Sequence, residues 1–168
     1  RPIRTREGFF SPSFHISGPC KNTRIYNNVV FVNRKPNAKV DKTILKMDNW
    51  GGPWPEGSLF ANNIFYVEDE ATFRFGKDKK TVFSHNVYYG RINSRPEDIR
   101  PIMQEPRFEQ RLDRGSEGFE ALNAFKLKKE SPCIGQGLAI PDNGGRDFFN
   151  NPVAKDGPSC IGAHETAD

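Results

Sequence analysis

The chain has 168 residues, a formal net charge of +4 and an isoelectric point near 9.0. This length suits one domain with a sizeable core, and 15 Gly with 13 Pro residues suit many turns. The positive charge permits an anionic partner without requiring one. No stretch is long and apolar enough to span a membrane. The basic residues are dispersed and the aromatic residues occupy strand-like positions, which argues against nucleic acid as a partner.

Three segments in the first ninety residues repeat a two-part pattern of short strands. The first parts read apolar, basic, apolar, then small or acidic: Phe14-His15-Ile16-Ser17, Leu45-Lys46-Met47-Asp48 and Phe73-Arg74-Phe75-Gly76. The second parts, 25–29, 59–65 and 82–88, each carry an Asn near their end. Period-two alternation is typical of strands, and such a repeat predicts a solenoid of parallel coils over 13–36, 43–67 and 71–90. An antiparallel sandwich of short strands is the alternative, because it also alternates.

Stacked parallel coils would place equivalent residues roughly 4.8 Å apart. Four columns follow: inward Phe14/Leu45/Phe73 and Ile16/Met47/Phe75, outward His15/Lys46/Arg74, and a turn column of Asn28/Asn63/Asn86. In such a turn column, side-chain amides bridge backbone groups from one coil to the next.

The segments between and after the repeats complete the prediction. Residues 34–42 form a polar excursion, and the Gly/Pro-rich loop over 49–57 interrupts the second repeat. The charged segment 91–117 is predicted to be a loop with a short helix around 95–103. Residues 119–137 should add a short helix and a final strand as a fourth coil. The tail over 138–168 is expected to wrap back as a cap over the open core.

The last third of the chain carries short motifs in a fixed order. They are Glu105-Pro106-Arg107-Phe108, Ala124-Phe125-Lys126-Leu127, Ser131-Pro132-Cys133-Ile134-Gly135-Gln136-Gly137, Gly145-Arg146-Asp147-Phe148-Phe149-Asn150-Asn151-Pro152 and Ile161-Gly162-Ala163-His164-Glu165. With the repeats, they resemble the closing segment of bacterial right-handed parallel β-helix proteins of the pectate-lyase-like type. The resemblance implies a single all-β domain over 1–168 with few coils and a C-terminal wrap. It is specific for the fold and weak for function, because lyases, hydrolases and uncharacterised members share it.

The resemblance also implies a bacterial, carbohydrate-active protein that is secreted, periplasmic or on the cell surface. Such proteins usually have more coils and an N-terminal cap, because an exposed end coil is an open strand edge. The chain is therefore expected to be the C-terminal portion of a longer protein. Otherwise an upstream domain or partner chain is expected to cover its N-terminal end.

Three residues depart from the family pattern. Cys133 stands where the family usually has Ala, Gly135 where it has Asp, and Cys160 where it has the Asp before Ile-Gly-Ala. The exchange of acidic positions for thiols suggests a Cys133–Cys160 disulfide in the terminal wrap, and two unpaired buried thiols are the alternative. Cys20 would remain free as a small core residue. The three cysteines show no metal-ligand spacing.

The outward column His15–Lys46–Arg74 is the first candidate for chemistry. β-Elimination of a uronate polysaccharide needs a cation beside the carboxylate and a base for the C5 proton. In this scheme Arg74 holds the carboxylate, Lys46 abstracts the proton and His15 assists. A solvated stripe of cations is the alternative, because outward strand positions are commonly Lys or Arg.

The loop that follows the second repeat is the candidate sugar contact. Trp50 and Trp54 suit stacking on sugar rings, and Asp48 with Asn49 could bind hydroxyl groups at the base of the loop. The alternative is a loop folded back on the flank of the stack with one Trp buried.

The acidic residues offer a third reading. Asp48 and Glu68 could form the carboxyl pair of a glycoside hydrolase, which needs a separation of roughly 5–10 Å. Glu68-Asp69-Glu70 is predicted to be a solvated turn or a weak cation site, so no cofactor is expected apart from a possible Ca²⁺. His85 and His164 are predicted to be structural. The sequence therefore favours a polysaccharide lyase, with a glycoside hydrolase or a non-catalytic carbohydrate-binding or structural fragment as alternatives.

Overall fold

The structure is a computed structural model that describes residues 12–34, 42–110 and 118–166. Eight strands dominate these ranges: β1 Phe14–Ser17, β2 Arg24–Tyr26, β3 Val29–Val32, β4 Thr43–Asp48, β5 Leu59–Ala61, β6 Ile64–Arg74, β7 Val82–Ser84 and β8 Val87–Asn93. Among the described residues the one α-helix is α1, Gly118–Ala121, and a 3-10 helix follows it at Leu122–Phe125. The predicted all-β character is confirmed.

The strands pair in parallel, which excludes the antiparallel sandwich. The first sheet has the order β1-β4-β6-β3, and β8 also pairs with β6. The second sheet has the order β2-β5-β7. Isolated parallel bridges also join Lys21 to Glu56 and Glu56 to Lys79. Short segments of each repeat thus pair in parallel with the equivalent segments of the next repeat.

The predicted register of the first stack is confirmed. Phe14 pairs with Leu45 and Leu45 with Phe73. The equivalent pairs one residue later join His15 to Lys46 and Lys46 to Arg74. Phe75 was predicted to continue the inward column of Ile16 and Met47. That prediction is wrong, because β6 ends at Arg74 and Phe75 is 39% exposed.

The core lies between the sheets and is built from stacked aromatic rings. Phe60 and Phe83, from β5 and β7, stack with centroids 4.7 Å apart. Phe65 and Tyr88, from β6 and β8, stack at 5.3 Å. These rings are buried with Leu45 in one apolar cluster. Parallel pairing in register places like side chains on top of one another, so each repeat continues the core of the one before it.

The predicted asparagine column is confirmed in detail. Asn28 donates from its backbone N (3.1 Å) and Nδ2 (3.0 Å) to Oδ1 of Asn63. Asn63 donates in the same way to Oδ1 of Asn86, at 2.9 and 3.0 Å. Asn86 donates to the carboxylate of Asp98, at 3.3 Å from the backbone N and 2.7 Å from Nδ2. The column therefore runs in one direction and ends on an acidic side chain.

The residue before each column Asn has a left-handed backbone. Asn27, Asn62 and His85 have φ values of 55°, 54° and 57°. His85 bonds to Ser84 Oγ through Nδ1 at 2.7 Å, and burial lowers its pKa. This agrees with the structural role predicted for His85.

The C-terminal segment lies against the side of the stack rather than over its end. Ile64 and Val87 point outward from β6 and β8, and Cys133 and Ile161 pack on them. Asn62 fixes the same segment by exchanging hydrogen bonds with the backbone of Leu138 at 2.7 and 2.8 Å. These contacts place Leu138 and Ile161 of the predicted cap on the flank of the stack. His164 is structural, as predicted, since its Nδ1 accepts the backbone N–H of Leu127 at 3.0 Å.

Three other predicted elements differ in the structure. The acidic run 68–70 is not a turn, because it lies within β6, where the pairing with β8 shifts register between Tyr66 and Glu70. No helix forms over 95–103; instead Ile99 and Ile102 donate backbone hydrogen bonds to Phe83 and Asn86 along the last strand edge. The fourth coil over 119–137 contributes helical turns and a single antiparallel bridge between Leu127 and Phe108 instead of a strand. Predictions for residues 1–11, 35–41, 111–117 and 167–168, including a cover for the N-terminal end, fall outside the described residues.

The predicted Cys133–Cys160 disulfide is not present. Both residues are buried free thiols in one cluster, whereas Cys20 is exposed and not a core residue. Burial raises the pKa of Cys133 to about 11 and also raises that of Cys160. The two buried thiols are therefore poor nucleophiles at neutral pH.

A thiol titration without reductant should find a single fast-reacting cysteine in the folded protein. The reagent reaches Cys20 readily, and buried Cys133 and Cys160 should react only after unfolding in denaturant. Cys20→Ser should remove the fast phase and leave the slow one. If denaturant exposes no further thiol, the predicted disulfide forms in the isolated protein after all.

Candidate functional site

The row of cations on the first sheet is the basis of the candidate site. His15, Lys46 and Arg74 occupy adjacent strands at equivalent positions, and their alternation with buried Leu45 turns them outward. Neighbouring strands are about 4.8 Å apart, so the row presents basic groups at regular intervals. The sequence predicted both this register and this orientation, and the structure confirms them.

Asp48 connects two of these cations. Its carboxylate accepts a hydrogen bond from Ser17 Oγ, lies 2.9 Å from His15 Nε2 and 3.6 Å from Lys46 Nζ. β1 and β4 end side by side, with Ser17 paired to Asp48, which explains why these groups meet. The sequence placed Asp48 on the same side as Lys46, and the short distance agrees.

The surroundings of Asp48 keep its carboxyl group ionised. Partial burial raises its pKa, but the hydrogen bonds from Ser17 and His15, and then the charges of His15 and Lys46, lower it further than burial raises it. The net pKa lies below the ordinary value. A group in this state is a poor general acid, and it can orient an imidazole and stabilise its charged form.

Trp50 is the exposed aromatic side chain at this site. It is 80% exposed, has a left-handed φ of 46°, and its ring centroid lies 6.4 Å from that of His15. A tryptophan held at this exposure beside a basic row offers an apolar face to a ligand such as a sugar ring. The predicted contact surface therefore includes Trp50.

Two further residues of the predicted sugar contact, Trp54 and Asn49, make contacts inside the protein. Trp54 is half-buried and its ring lies directly over Gly76, where an added Cβ would come within 1.8 Å of Cζ3. The side-chain amide of Asn49 forms a hydrogen bond within the loop, because its Nδ2 donates to Gly52 O at 2.6 Å. Trp54 anchors the loop to the end of β6, and Asn49 closes it, so together they position Trp50.

The two carboxyl groups of the hydrolase reading have different partners. Asp48 bonds to Ser17 and His15, whereas Glu68 accepts the backbone N–H of Arg34 at 3.1 Å. Asp69 pairs with Lys42, and Glu70 pairs with Arg91 at 3.0 Å. Within the described ranges, no group of three or more His, Cys, Asp or Glu side chains is arranged to hold a metal ion.

An outward aromatic column went unnoticed in the sequence. Phe31, Tyr66 and Tyr89 pair across β3, β6 and β8, with neighbouring ring centroids at 5.4 and 4.9 Å. Each lies three residues after a member of the asparagine column, and that constant offset was a readable signal.

Comparisons with known proteins give no further guide. No protein-family model matches the chain, and no curated protein matches it either. None of the helices in the described part of the chain is long and apolar enough to cross a membrane. Function therefore has to be argued from the geometry of the site.

Proposed function

We propose that the chain is a right-handed parallel β-helix that binds an anionic polysaccharide along its cation row and cleaves it by β-elimination. Parallel stacking of equivalent segments, a matching register and a repeated asparagine turn support the β-helix. Parallel crossovers are right-handed in about 98% of cases, which supports the hand. Because polysaccharides lie outside the cytoplasm, the proposal includes a secreted, periplasmic or cell-surface location.

The cation row carries the functional part of the proposal. His15, Lys46 and Arg74 repeat at strand spacing on an outward face, with Trp50 beside them. Uronate residues combine a carboxylate with an apolar ring face, so they complement both features. A neutral glycan would complement the exposed aromatic face of Trp50 but not the basic groups.

The reaction needs one base and at least one cation. The base removes the proton from C5 of the uronate, the C4–O bond breaks, and a C4–C5 double bond forms. The departing sugar oxygen gains a proton. The two products together therefore contain the same atoms as the substrate, and no water has been added. A cation beside the uronate carboxylate stabilises the charge that develops when C5 loses its proton.

The contacts of Asp48 favour His15 as the base and change the roles predicted from the sequence. The Asp48 carboxylate lies 2.9 Å from His15 Nε2, so it can orient the ring and stabilise the imidazolium that forms when His15 takes the C5 proton. Deprotonating Lys46 would instead break its contact with Asp48. Lys46 and Arg74 are therefore assigned to the uronate carboxylate.

A non-catalytic binding module is the second candidate. It is favoured by the same cluster, because Asp48 holds both His15 and Lys46 and so supports a fixed basic surface without any proton transfer. The glycoside hydrolase has no comparable support, since the hydrogen bonds described above for Asp48 and Glu68 do not join them.

Product mass spectrometry after incubation with polyuronates and neutral glycans tests the proposal. We expect new oligosaccharides from polyuronates alone, with non-reducing ends lighter by one water than hydrolysis products. His15→Ala should lower the rate by about 10²–10⁴-fold, the usual contribution of a general base. Lys77→Ala, which removes an exposed charge outside the row, should leave the rate unchanged.

Each other outcome has a defined meaning. Products that have gained water would overturn the lyase and support hydrolysis. Binding of polyuronate without cleavage, weakened by Arg74→Gln, would support the binding module. Neither binding nor cleavage would overturn both candidates.

A further inference from the structure

A second site lies on a different part of the surface. A cavity of about 420 Å³ is lined by side chains of β3, of β6 and of residues 105–110 and 125–128. Its strand residues, Phe31 and Tyr66, belong to the outward aromatic column and not to the cation row. Small-molecule pockets have volumes of roughly 300–1,000 Å³, so this cavity suits a small ligand.

Four aromatic rings form a closed circuit in the wall of the cavity. Phe31 lies 5.4 Å from Tyr66 and 5.7 Å from Phe125, and Phe108 lies 5.8 Å from Tyr66 and 5.4 Å from Phe125, measured between ring centroids. All four side chains are half-buried, so each keeps part of its surface accessible. Phe108 and Phe125 reach the strands because the bridge between Phe108 and Leu127 holds their segment there.

Acidic side chains outnumber basic ones around the same cavity. Among the described residues that line it, Glu68, Glu105 and Glu109 are acidic and Lys128 is basic. The cation row has the opposite character. The two surfaces therefore select ligands of opposite charge.

We propose that this cavity binds an organic ammonium ion, meaning a protonated or quaternary amine on a small apolar body. Aromatic faces attract cations within about 6 Å of the ring centroid, and the ring separations allow one cation to contact two or more rings together. The carboxylates add a favourable field, while the methyl or methylene groups of the ligand pack on the rings. The proposal does not depend on the glycan reaction at the cation row.

Choline and its uncharged carbon analogue, 3,3-dimethylbutan-1-ol, separate charge recognition from apolar packing. Titration of the full chain, followed by saturation-transfer NMR of the methyl protons, should show choline binding roughly tenfold more tightly. Glu105→Gln should weaken choline binding about threefold and Lys128→Met should strengthen it about threefold, because one removes an attractive charge and the other a repulsive one. Both side chains are exposed, so neither change threatens the fold.

Glu130→Gln is the matched control, because Glu130 is exposed on the same segment and does not line the cavity. Choline affinity should not change in this variant. Equal binding of choline and its analogue, or no choline binding in the millimolar range, would overturn the proposal. Binding of methyl glucoside in place of choline would also overturn it and would assign the rings to sugar stacking.

Discussion

Replacing Asn63 by alanine should lower the free energy of unfolding by about 3–5 kcal/mol, because it leaves several buried polar groups without partners. Asn63 is fully buried in the middle of the asparagine column. Its Oδ1 accepts two hydrogen bonds from Asn28, and its Nδ2 donates to Ile25 O and Asn86 Oδ1, both at 3.0 Å. Urea unfolding followed by circular dichroism measures the change.

Asn28→Ala is the control for that prediction. Asn28 is only half-buried and is the first described member of the column, so its loss interrupts fewer contacts. We expect a cost of about 1 kcal/mol. Equal destabilisation by the two variants would mean that the column does not depend on burial for its strength.

Gly90→Ala should destabilise the protein by at least about 3 kcal/mol, or prevent it from folding. Gly90 lies in β8 with φ +94°, and an added Cβ would come within 1.9 Å of the backbone oxygen of Val67 on β6. Backbone atoms cannot rotate away, so the two strands would have to separate. The melting temperature of the purified variant, or its recovery in the soluble fraction, reports the effect.

Gly144→Ala separates this clash from simple backbone strain. Gly144 has a similar φ of +85°, yet nothing lies within 4 Å of the position of its Cβ. We expect a loss of about 1 kcal/mol from the left-handed conformation alone. If Gly90→Ala is no more harmful than Gly144→Ala, then β6 and β8 approach less closely than the structure shows.

The parallel register could be predicted because each repeat carries the same local pattern of residue types. His15, Lys46 and Arg74 each lie between two apolar residues, and Asn28, Asn63 and Asn86 follow at similar offsets. Alternation fixes which side a residue faces, and equivalence between repeats fixes its partner. The basic row and the asparagine column required no other information.

The errors arose where distant residues decide the local structure. A run of three acidic residues is typical of a turn, but Asp69 and Glu70 are stabilised within β6 by Lys42 and Arg91, which lie 27 and 21 residues away. Such contacts leave no mark in the local pattern. The segment around Asp98 likewise stays extended because its backbone bonds to the last strand edge, not because of its composition.

The role of Asn49 and Trp54 was also beyond the sequence. Both residue types bind sugars in principle, and only the path of the loop shows that Asn49 bonds to Gly52 and that Trp54 covers Gly76. The described contacts of the candidate site are organised around Asp48. Ser17, which the sequence did not single out, belongs to it as a donor to Asp48.

The one-way order of the asparagine column has a consequence for how this protein can change in length. Each joint from Asn28 to Asn63 and from Asn63 to Asn86 uses the same two donors and the same acceptor. A duplicated repeat inserted between two existing repeats could therefore form the same Asn-to-Asn hydrogen bonds with both of its neighbours. Asp98 ends the series with a carboxylate, so growth beyond it would require a new terminator. Gene duplication or protein engineering can therefore lengthen the stack by inserting repeats between existing ones. Extension beyond Asp98 requires a new terminating residue.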